Sequence, residues 1–133
     1  MTPMSFAILV VDDDVEDHMI MTEYFEEMNY KDSVKFVING KEAIEYLEAQ
    51  KQGILPRLII LDLNMPIMNG TQTLLHIKHD PELKNIPVVI YSTSENETEK
   101  RKTLSLGALQ YAMKPQNYAD GLKMVTAFLS YLS

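Results

Sequence analysis

Three apolar runs of this sequence each end in a charged side chain. Residues 8–11 lead into Asp12 and Asp13, residues 58–61 into Asp62, and residues 111–113 into Lys114. Such runs predict buried parallel strands, and the ligands of an open α/β sheet bind outside the carboxyl ends of its strands. We therefore expect three carboxylates and one ammonium in a single cleft. Carboxylates this close repel one another and stay ionised together only around a cation, so the pattern predicts a metal-assisted phosphoryl site.

Asp62 is the predicted nucleophile of this site. It ends its apolar run, and the segment after it contains Asn64 and the turn-forming pair Asn69-Gly70. Glycine permits a sharp chain reversal, so a tight loop is expected to present the Asp62 carboxylate. A carboxylate can attack phosphorus and form an acyl phosphate.

The same residues suit a magnesium ion. Mg²⁺ prefers near-octahedral oxygen ligands and commonly combines one or two carboxylates with phosphate oxygens, which fits Asp13, Asp62 and the backbone carbonyl of Asn64. Asp12 is placed as an outer ligand that acts through water. Taken alone, Asp12-Asp13-Asp14 is more typical of a helix N-cap with acidic first-turn residues, and for Asp14 that is the better interpretation.

Lys114 is expected to supply the counter-charge to a bound phosphoryl group. A cis peptide bond before Pro115 would aim the lysine into the cleft, and the sequence leaves both isomers open. Ser92 and Thr93 follow another apolar run, and their hydroxyls could hydrogen-bond a phosphoryl oxygen. Hydroxyls at a strand end are most often turn or cap residues, so this assignment is open as well.

Strands and helices alternate along the chain in the predicted arrangement. Helices are expected over residues 15–28, 41–51 and 70–80, after Ser94, and over a last segment lined by Leu122, Val125, Leu129 and Leu132, with further strands at 34–38, 86–91 and 110–113. Residues 52–57 are expected to form a polar, exposed loop. Five strands alternating with five helices favour a parallel sheet with helices on both faces and right-handed crossovers.

The composition fits one small domain in a reducing compartment. With 133 residues and 46% apolar content, the chain can form one hydrophobic core without disulfides or structural metal ions. We expect one domain without a linker. The absence of cysteine excludes disulfides and thiolate metal sites and favours a cytoplasmic location. Residues 1–4 contain no basic region before an apolar stretch, and no apolar run approaches the roughly 20 residues of a membrane span, so no membrane partner is expected.

The net charge argues against a nucleic-acid partner. The chain carries a charge of −7, whereas phosphate backbones are bound by Lys and Arg, so no direct DNA binding is expected. Eight acidic residues and no Lys or Arg lie between Asp12 and Tyr30. For Glu23, Glu26 and Glu27 the favoured interpretation is a solvated helix face.

Taken together, the motifs resemble those of response-regulator receiver domains over residues 5–132. The similar motifs are Val11-Asp12-Asp13, Leu61-Asp62, Met65-Pro66, Asn69-Gly70, Ser92-Thr93, Tyr111 and Lys114-Pro115, in the family's order and spacing. The resemblance implies an α/β, flavodoxin-like (βα)5 fold, a doubly wound five-stranded parallel sheet with strand order 2-1-3-4-5. It also implies a single receiver domain over residues 1–133, without an effector domain.

The resemblance also assigns roles to the residues. Asp62 would take a phosphoryl group from a phosphohistidine on a sensor histidine kinase or a phosphotransfer protein. Mg²⁺ would be bound by Asp13, Asp62 and the Asn64 carbonyl, with Asp12 positioning water, Lys114 pairing with the phosphate, Ser92 as the switch hydroxyl and Tyr111 as the switch aromatic. The output left open is contact with a downstream protein target, a further phosphorelay step, or homodimerisation through the fourth helix, the fifth strand and the fifth helix. Such a protein is not an enzyme in the usual sense, because it catalyses only its own phosphorylation and dephosphorylation.

Further motifs are similar to those of small stand-alone regulators paired with bacterial phytochromes. They are Leu61-Asp62-Leu63-Asn64-Met65-Pro66, Asp80-Pro81-Glu82-Leu83 and Ser92-Thr93-Ser94. Two positions depart from the family pattern: Ser92 stands where Thr is commoner, and Gln116-Asn117 follow Pro115 where an apolar residue is frequent. Neither departure removes the chemistry, and both concern the coupling of the site to the output surface.

Three other kinds of protein share part of this pattern. A receiver-like interaction module that no longer exchanges phosphate would share the fold. An aspartate-nucleophile phosphohydrolase usually needs a second acid two positions after its nucleophile, where this sequence has Asn64. A flavin-binding flavodoxin needs a phosphate-cradling loop after the first strand, where Asp12, Asp13 and Asp14 would repel phosphate.

Overall fold

The computed structural model describes residues 6–65 and 67–132. In this part of the chain the strands are β1 (Ile8–Val11), β2 (Val34–Val37), β3 (Leu58–Asp62), β4 (Val88–Ser92) and β5 (Gln110–Met113). The helices are α1 (Val15–Glu27), α2 (Gly40–Gln50), α3 (Gly70–His79), α4 (Glu97–Ser105) and α5 (Tyr118–Leu129), with 3₁₀ turns at Lys31–Ser33 and Ser130–Leu132. The strands form one parallel sheet in the order β2-β1-β3-β4-β5, which confirms the predicted flavodoxin-like topology. Pro66 of the Met65-Pro66 motif and the N-terminal residues 1–4 lie outside the described residues.

The three central strands explain why unbroken apolar runs predicted the sheet. Every residue of β1, β3 and β4 is buried, because helices cover both faces of the sheet there. Alternate residues of β1 enter opposite cores: Leu9 and Val11 pack with α2 and α3, whereas Ile8 and Val10 pack with α1 and α5. The edge strands β2 and β5 are only partly buried.

Each helix from α1 to α5 is preceded by a residue whose side chain caps a free amide group of the first turn. The caps are Asp14, Asn39, Asn69, Asn96 and Asn117, and each accepts a hydrogen bond from a backbone N–H of the first turn. The predicted capping role of Asp14 is thereby confirmed. Within residues 6–65 and 67–132, no helix is long and apolar enough to cross a membrane.

The fourth strand begins later than the sequence predicts. It starts at Val88 rather than at residue 86. The Ile86 N–H donates to Leu83 O in the preceding turn, and Pro87 has no N–H. Neither residue can therefore donate a backbone hydrogen bond to a neighbouring strand. Apolar character alone does not mark this boundary, because the turn before the strand also places apolar side chains, Leu83 and Ile86, in the core.

Two further segments differ in part from their predictions. The loop over residues 52–57 was expected to be exposed, but Pro56 is buried and Leu55 packs against the core. The last helix ends at Leu129, and a 3₁₀ turn carries the chain on to Leu132. In both places apolar side chains pack inward from a segment that forms neither an α-helix nor a strand.

Gly70 fixes the loop after β3 against the first turn of α3. Its N–H donates to Leu63 O at 3.0 Å. A Cβ atom at this position would lie 2.6 Å from Leu63 Cα and still closer to the Asp62 carbonyl oxygen. Because no side chain fits in this gap, the close approach of helix and loop requires glycine.

Gly70→Ala is expected to lower the free energy of unfolding by about 2–3 kcal/mol, because the added methyl group forces two backbone segments apart. Gly53→Ala is the matched control, since the nearest atom to a Cβ at Gly53 is 3.7 Å away on the flexible side chain of Gln50. Urea unfolding followed by circular dichroism measures both variants. Equal stability of the two would contradict the packing role of Gly70.

Candidate functional site

The register of the sheet brings the charged residues to one edge. Strands β1, β3, β4 and β5 are paired so that their last residues lie nearly level. Asp12 follows β1, Asp62 ends β3, and Lys114 follows β5. The three side chains meet at this carboxyl edge, as the sequence predicted.

Lys114 reaches into the acidic cluster from the end of β5. Its Nζ atom lies 3.2 Å from Asp12 Oδ2 and 3.5 Å from Asp62 Oδ2. A third contact of 2.6 Å joins it to Asp17 Oδ2, which comes from α1. The backbone N–H of Lys114 donates to Ser92 O at 2.7 Å and so continues the strand ladder.

The peptide bond between Lys114 and Pro115 is trans, since no cis peptide bond occurs among the described residues. Of the two isomers that the sequence leaves open, the structure therefore lacks the cis form. Lys114 reaches the cleft without a cis bond. The hydrogen bond from its backbone N–H to Ser92 O extends the pairing of β5 with β4, and this path brings the ammonium to Asp12.

Asp12, Asp13 and Asp62 lie close enough to share one cation. Each offers a carboxylate oxygen within 4.8 Å of the others; Asp12 and Asp62 are buried, whereas Asp13 is exposed. Asp12 Oδ1 accepts a hydrogen bond from the Asp14 N–H at 2.9 Å. Asp62 Oδ1 accepts one from the Asn64 N–H at 3.3 Å, which places the Asn64 backbone at the border of the cluster.

One oxygen of this cluster lacks a hydrogen-bond partner. Asp12 Oδ2 is buried, and although Lys114 Nζ lies 3.2 Å away, Oδ2 accepts no hydrogen bond from any described residue. An unsatisfied buried carboxylate oxygen is costly. Hard oxygen donors of this kind are the ligands that Mg²⁺ and similar ions prefer. The donor set formed with Asp13 and Asp62 therefore fits a divalent metal ion.

Burial shifts the pKa values of the clustered groups. Burial raises the pKa of Asp12 to about 7, although a backbone N–H and the Lys114 ammonium oppose the shift. Burial also raises the pKa of Asp62, an effect that Lys114 opposes and the charge of Asp13 reinforces. For Lys114 burial works against the charged form, but its carboxylate partners, Asp17 first, outweigh burial and raise the pKa. Buried carboxylates that resist ionisation beside one charged lysine indicate a site with room for a further positive charge.

Asp12→Asn is expected to stabilise the metal-free protein by about 2 kcal/mol at about pH 8. The folded-state pKa of Asp12, about 7, lies above its ordinary value of 3.8. The wild-type protein therefore loses stability as the pH rises between these two values, and asparagine removes that loss. The gain should shrink toward about pH 4, which urea unfolding in EDTA measures across this range. A gain of the same size at every pH would contradict the assignment.

The two predicted switch residues meet at Ser94. Ser92 is fully buried, and its Oγ accepts a hydrogen bond from the Ser94 N–H at 3.3 Å. Tyr111, half-buried on β5, donates its hydroxyl to Ser94 O at 2.7 Å. Thr93, the other hydroxyl considered for the site, is exposed. The loop after β4 thus links a buried hydroxyl at the carboxyl end of β4 to an aromatic ring on β5.

Asp17 belongs to the site and was not predicted. In the sequence it is only one of several acidic residues in the first helix. It is the third residue of α1, and helical side chains tilt toward the helix N-terminus, so its carboxylate reaches back to Lys114. Its place in the first helical turn after Asp12 and Asp13 is the signal that could have identified it.

Comparison with known proteins decides the family. Residues 8–126 match the family model of the response regulator receiver domain. The chain belongs to this family. As a receiver domain, it is a phosphoacceptor of two-component signal transduction.

This receiver domain is similar to known response regulators along nearly its whole length. The response regulator Rcp1 from Synechocystis sp. is 33% identical over 128 residues, which cover 94% of this chain and 87% of that protein. The crystal structure of the phosphorylated cyanobacterial phytochrome response regulator RcpA has a TM-score of 0.84 at 34% identity and covers 95% of both chains. The Mn(2+)-bound form of Rcp1 has a TM-score of 0.77 at 32% identity, over 94% of this chain and 92% of that chain. These likenesses confirm the resemblance and the fold predicted from the motifs.

Proposed function

We propose that this receiver domain accepts one phosphoryl group on Asp62 in a magnesium-dependent reaction. The observation that carries the proposal is the convergence of Lys114 with Asp12 and Asp62, which places an ammonium within 3.5 Å of both buried carboxylates. The proposed donor is a phosphohistidine of a sensor histidine kinase or of a phosphotransfer protein.

Asp62 acts as the nucleophile in this proposal. One of its carboxylate oxygens attacks the phosphorus of the donor, an O–P bond forms, and the P–N bond breaks with its electron pair on the histidine nitrogen. The Asn64 N–H holds one oxygen of Asp62, and Lys114 pairs with the oxygens of the transferred group. Hydrolysis of the acyl phosphate returns the carboxylate. Catalysis is then confined to the protein's own phosphorylation and dephosphorylation.

Asp13, Asp62 and the Asn64 carbonyl are proposed to hold Mg²⁺, with Asp12 positioning one of its waters. When bound, the ion neutralises charge on the carboxylates and on the phosphoryl group. Asp13 is exposed, so it offers its carboxylate to an ion that arrives from solvent. The Mn(2+)-bound form of Rcp1 supports a divalent ion in a regulator of this fold.

Ser92 and Tyr111 are proposed as the switch. The Ser92 hydroxyl moves toward the phosphoryl group, the Ser94 loop follows it, and Tyr111 loses the carbonyl that its hydroxyl contacts in the resting state. The change alters the surface of α4, β5 and α5, where a downstream protein or a second copy of the chain would bind. The phosphoryl group can shift this equilibrium only by its differential affinity for the two states.

A sensor kinase of the phytochrome class is the proposed donor. RcpA is a phytochrome response regulator and matches 95% of this chain, which supports the same pairing here. The cytoplasmic location stays a prediction.

Labelling with acetyl phosphate tests the proposal. With Mg²⁺ present, intact mass spectrometry should show one added phosphoryl group, and with EDTA in its place it should show none. A folded protein that binds Mg²⁺ yet takes no label would contradict the phosphoacceptor role and favour an interaction module. Equal labelling in EDTA would contradict the metal requirement.

A further inference from the structure

Lys114 makes its shortest ion pair with a residue that the proposed reaction does not use. Its Nζ atom lies 2.6 Å from Asp17 Oδ2 in a hydrogen bond, compared with 3.5 Å from Asp62 Oδ2. Both partners are largely shielded, with side-chain exposures of 12% for Lys114 and 19% for Asp17. The ammonium is therefore held more tightly by α1 than by the phosphoacceptor.

We propose that Asp17 is a positioning residue that competes with the phosphoryl group for Lys114. This inference rests on the proposed function of Asp62. The lysine ammonium is a compact charge on a flexible stem with three rotatable donors, so it can exchange one nearby oxygen for another. In the resting protein Asp17 holds it. Once Asp62 carries a phosphoryl group, the lysine must leave Asp17 to pair fully with the added charge.

The surroundings of Lys114 favour its position beside Asp17. A cavity of about 280 Å³ lies between α1 and the segment after β5, and Asp17, Tyr91 and Lys114 line it. Lys114 Nζ also lies 5.1 Å from the centre of the Tyr91 ring, whose face attracts a cation. Asp17 and Tyr91 together stabilise the ammonium in a position that the phosphoryl group must compete against.

The charges give this competition its direction. A phosphoryl group carries a charge of about −1.5 to −2 at neutral pH, which exceeds the single charge of Asp17. Lys114 therefore moves toward phosphorylated Asp62, but the hydrogen bond to Asp17 subtracts from the gain. Loss of the Asp17 charge should strengthen the pairing of Lys114 with an anion on Asp62.

Beryllofluoride binding tests the proposal, because this anion adds to a carboxylate and imitates a phosphoryl group. With saturating Mg²⁺, Asp17→Asn is expected to bind it about three- to tenfold more tightly than the wild type in fluorine NMR titrations. Asp17→Ala, which also removes the acceptor, should shift the affinity in the same direction, and either variant suffices. Asp17→Glu keeps the charge and should stay within about twofold of the wild type.

Glu16→Gln is the matched control, because Glu16 is an exposed neighbour in the same helical turn and loses the same charge. The proposal is overturned if Asp17→Asn and Glu16→Gln shift the affinity equally, or if Asp17→Asn binds more weakly than the wild type. Failure of the wild type itself to bind beryllofluoride would instead overturn the function of Asp62. The two failures are therefore distinguishable in one set of titrations.

Discussion

Asp62→Asn is expected to abolish phosphorylation of this receiver domain. Its amide has no anionic oxygen with which to attack phosphorus, and the neighbouring Asp12 is buried and bonded to the Asp14 N–H. Labelling by acetyl phosphate in the presence of Mg²⁺ should fall by at least about a hundredfold, as measured by intact mass over time.

The Asp62→Asn variant should keep its fold. Asp62 is 4% exposed, and burial raises the pKa of its carboxyl group, so a neutral amide of the same shape removes an electrostatic cost. The amide oxygen can still accept the hydrogen bond from the Asn64 N–H. Loss of label together with unchanged or raised stability would therefore assign Asp62 a chemical role rather than a structural one.

Asp32→Asn is the matched control for this experiment. Asp32 is an exposed aspartate in the 3₁₀ turn before β2, at the edge of the sheet opposite the acidic cluster. This variant should take label at the wild-type rate. Label on Asp62→Asn at that rate, or peptide mapping that finds the wild-type label on another residue, would refute the assignment of Asp62.

Burial explains why much of the fold could be predicted from the sequence. Strands β1, β3 and β4 are covered on both faces, so each must be an unbroken apolar run, and the polar residue at its end marks the carboxyl edge. Asp12, Asp62 and Lys114 were predicted to meet for this reason, and they do. Asn64 borders the cluster because the loop after β3 is tied to α3 by the glycine turn at Gly70.

The remaining features of the site depend on the orientation of side chains and backbone groups, which the residue types alone do not determine. Asp17 lies in a helix whose other acidic residues cap it or face solvent, and only the rotation of α1 over the end of β1 directs it to Lys114. Ser92 and Tyr111 are linked through hydrogen bonds to the backbone of Ser94, so the pattern of side chains in the sequence does not predict the link. The trans bond before Pro115 likewise follows from the path of β5 rather than from the dipeptide.

Asp13→Asn is expected to weaken Mg²⁺ binding by at least about tenfold and to slow magnesium-dependent labelling. Asp13 is the exposed member of the acidic cluster, so its replacement leaves no buried group unpaired. Its charge also raises the pKa of Asp62, and its removal eases that repulsion. The metal-free variant should therefore be at least as stable as the wild type, yet gain less stability when Mg²⁺ is added.

Asp14→Asn is the matched control for the metal experiment. Asparagine caps a helix about as well as aspartate, and Asp14 Oδ1 bonds the Glu16 N–H rather than joining the cluster. Magnesium titrations of the thermal unfolding midpoint measure both variants. If Asp13 is a metal ligand, Asp13→Asn should be at least as stable as the wild type without Mg²⁺ and less stable than the wild type with Mg²⁺. If Asp13 were needed only for packing, the variant would be less stable in both conditions. If Asp13→Asn gained as much from Mg²⁺ as Asp14→Asn, the ion would have to bind elsewhere on the chain.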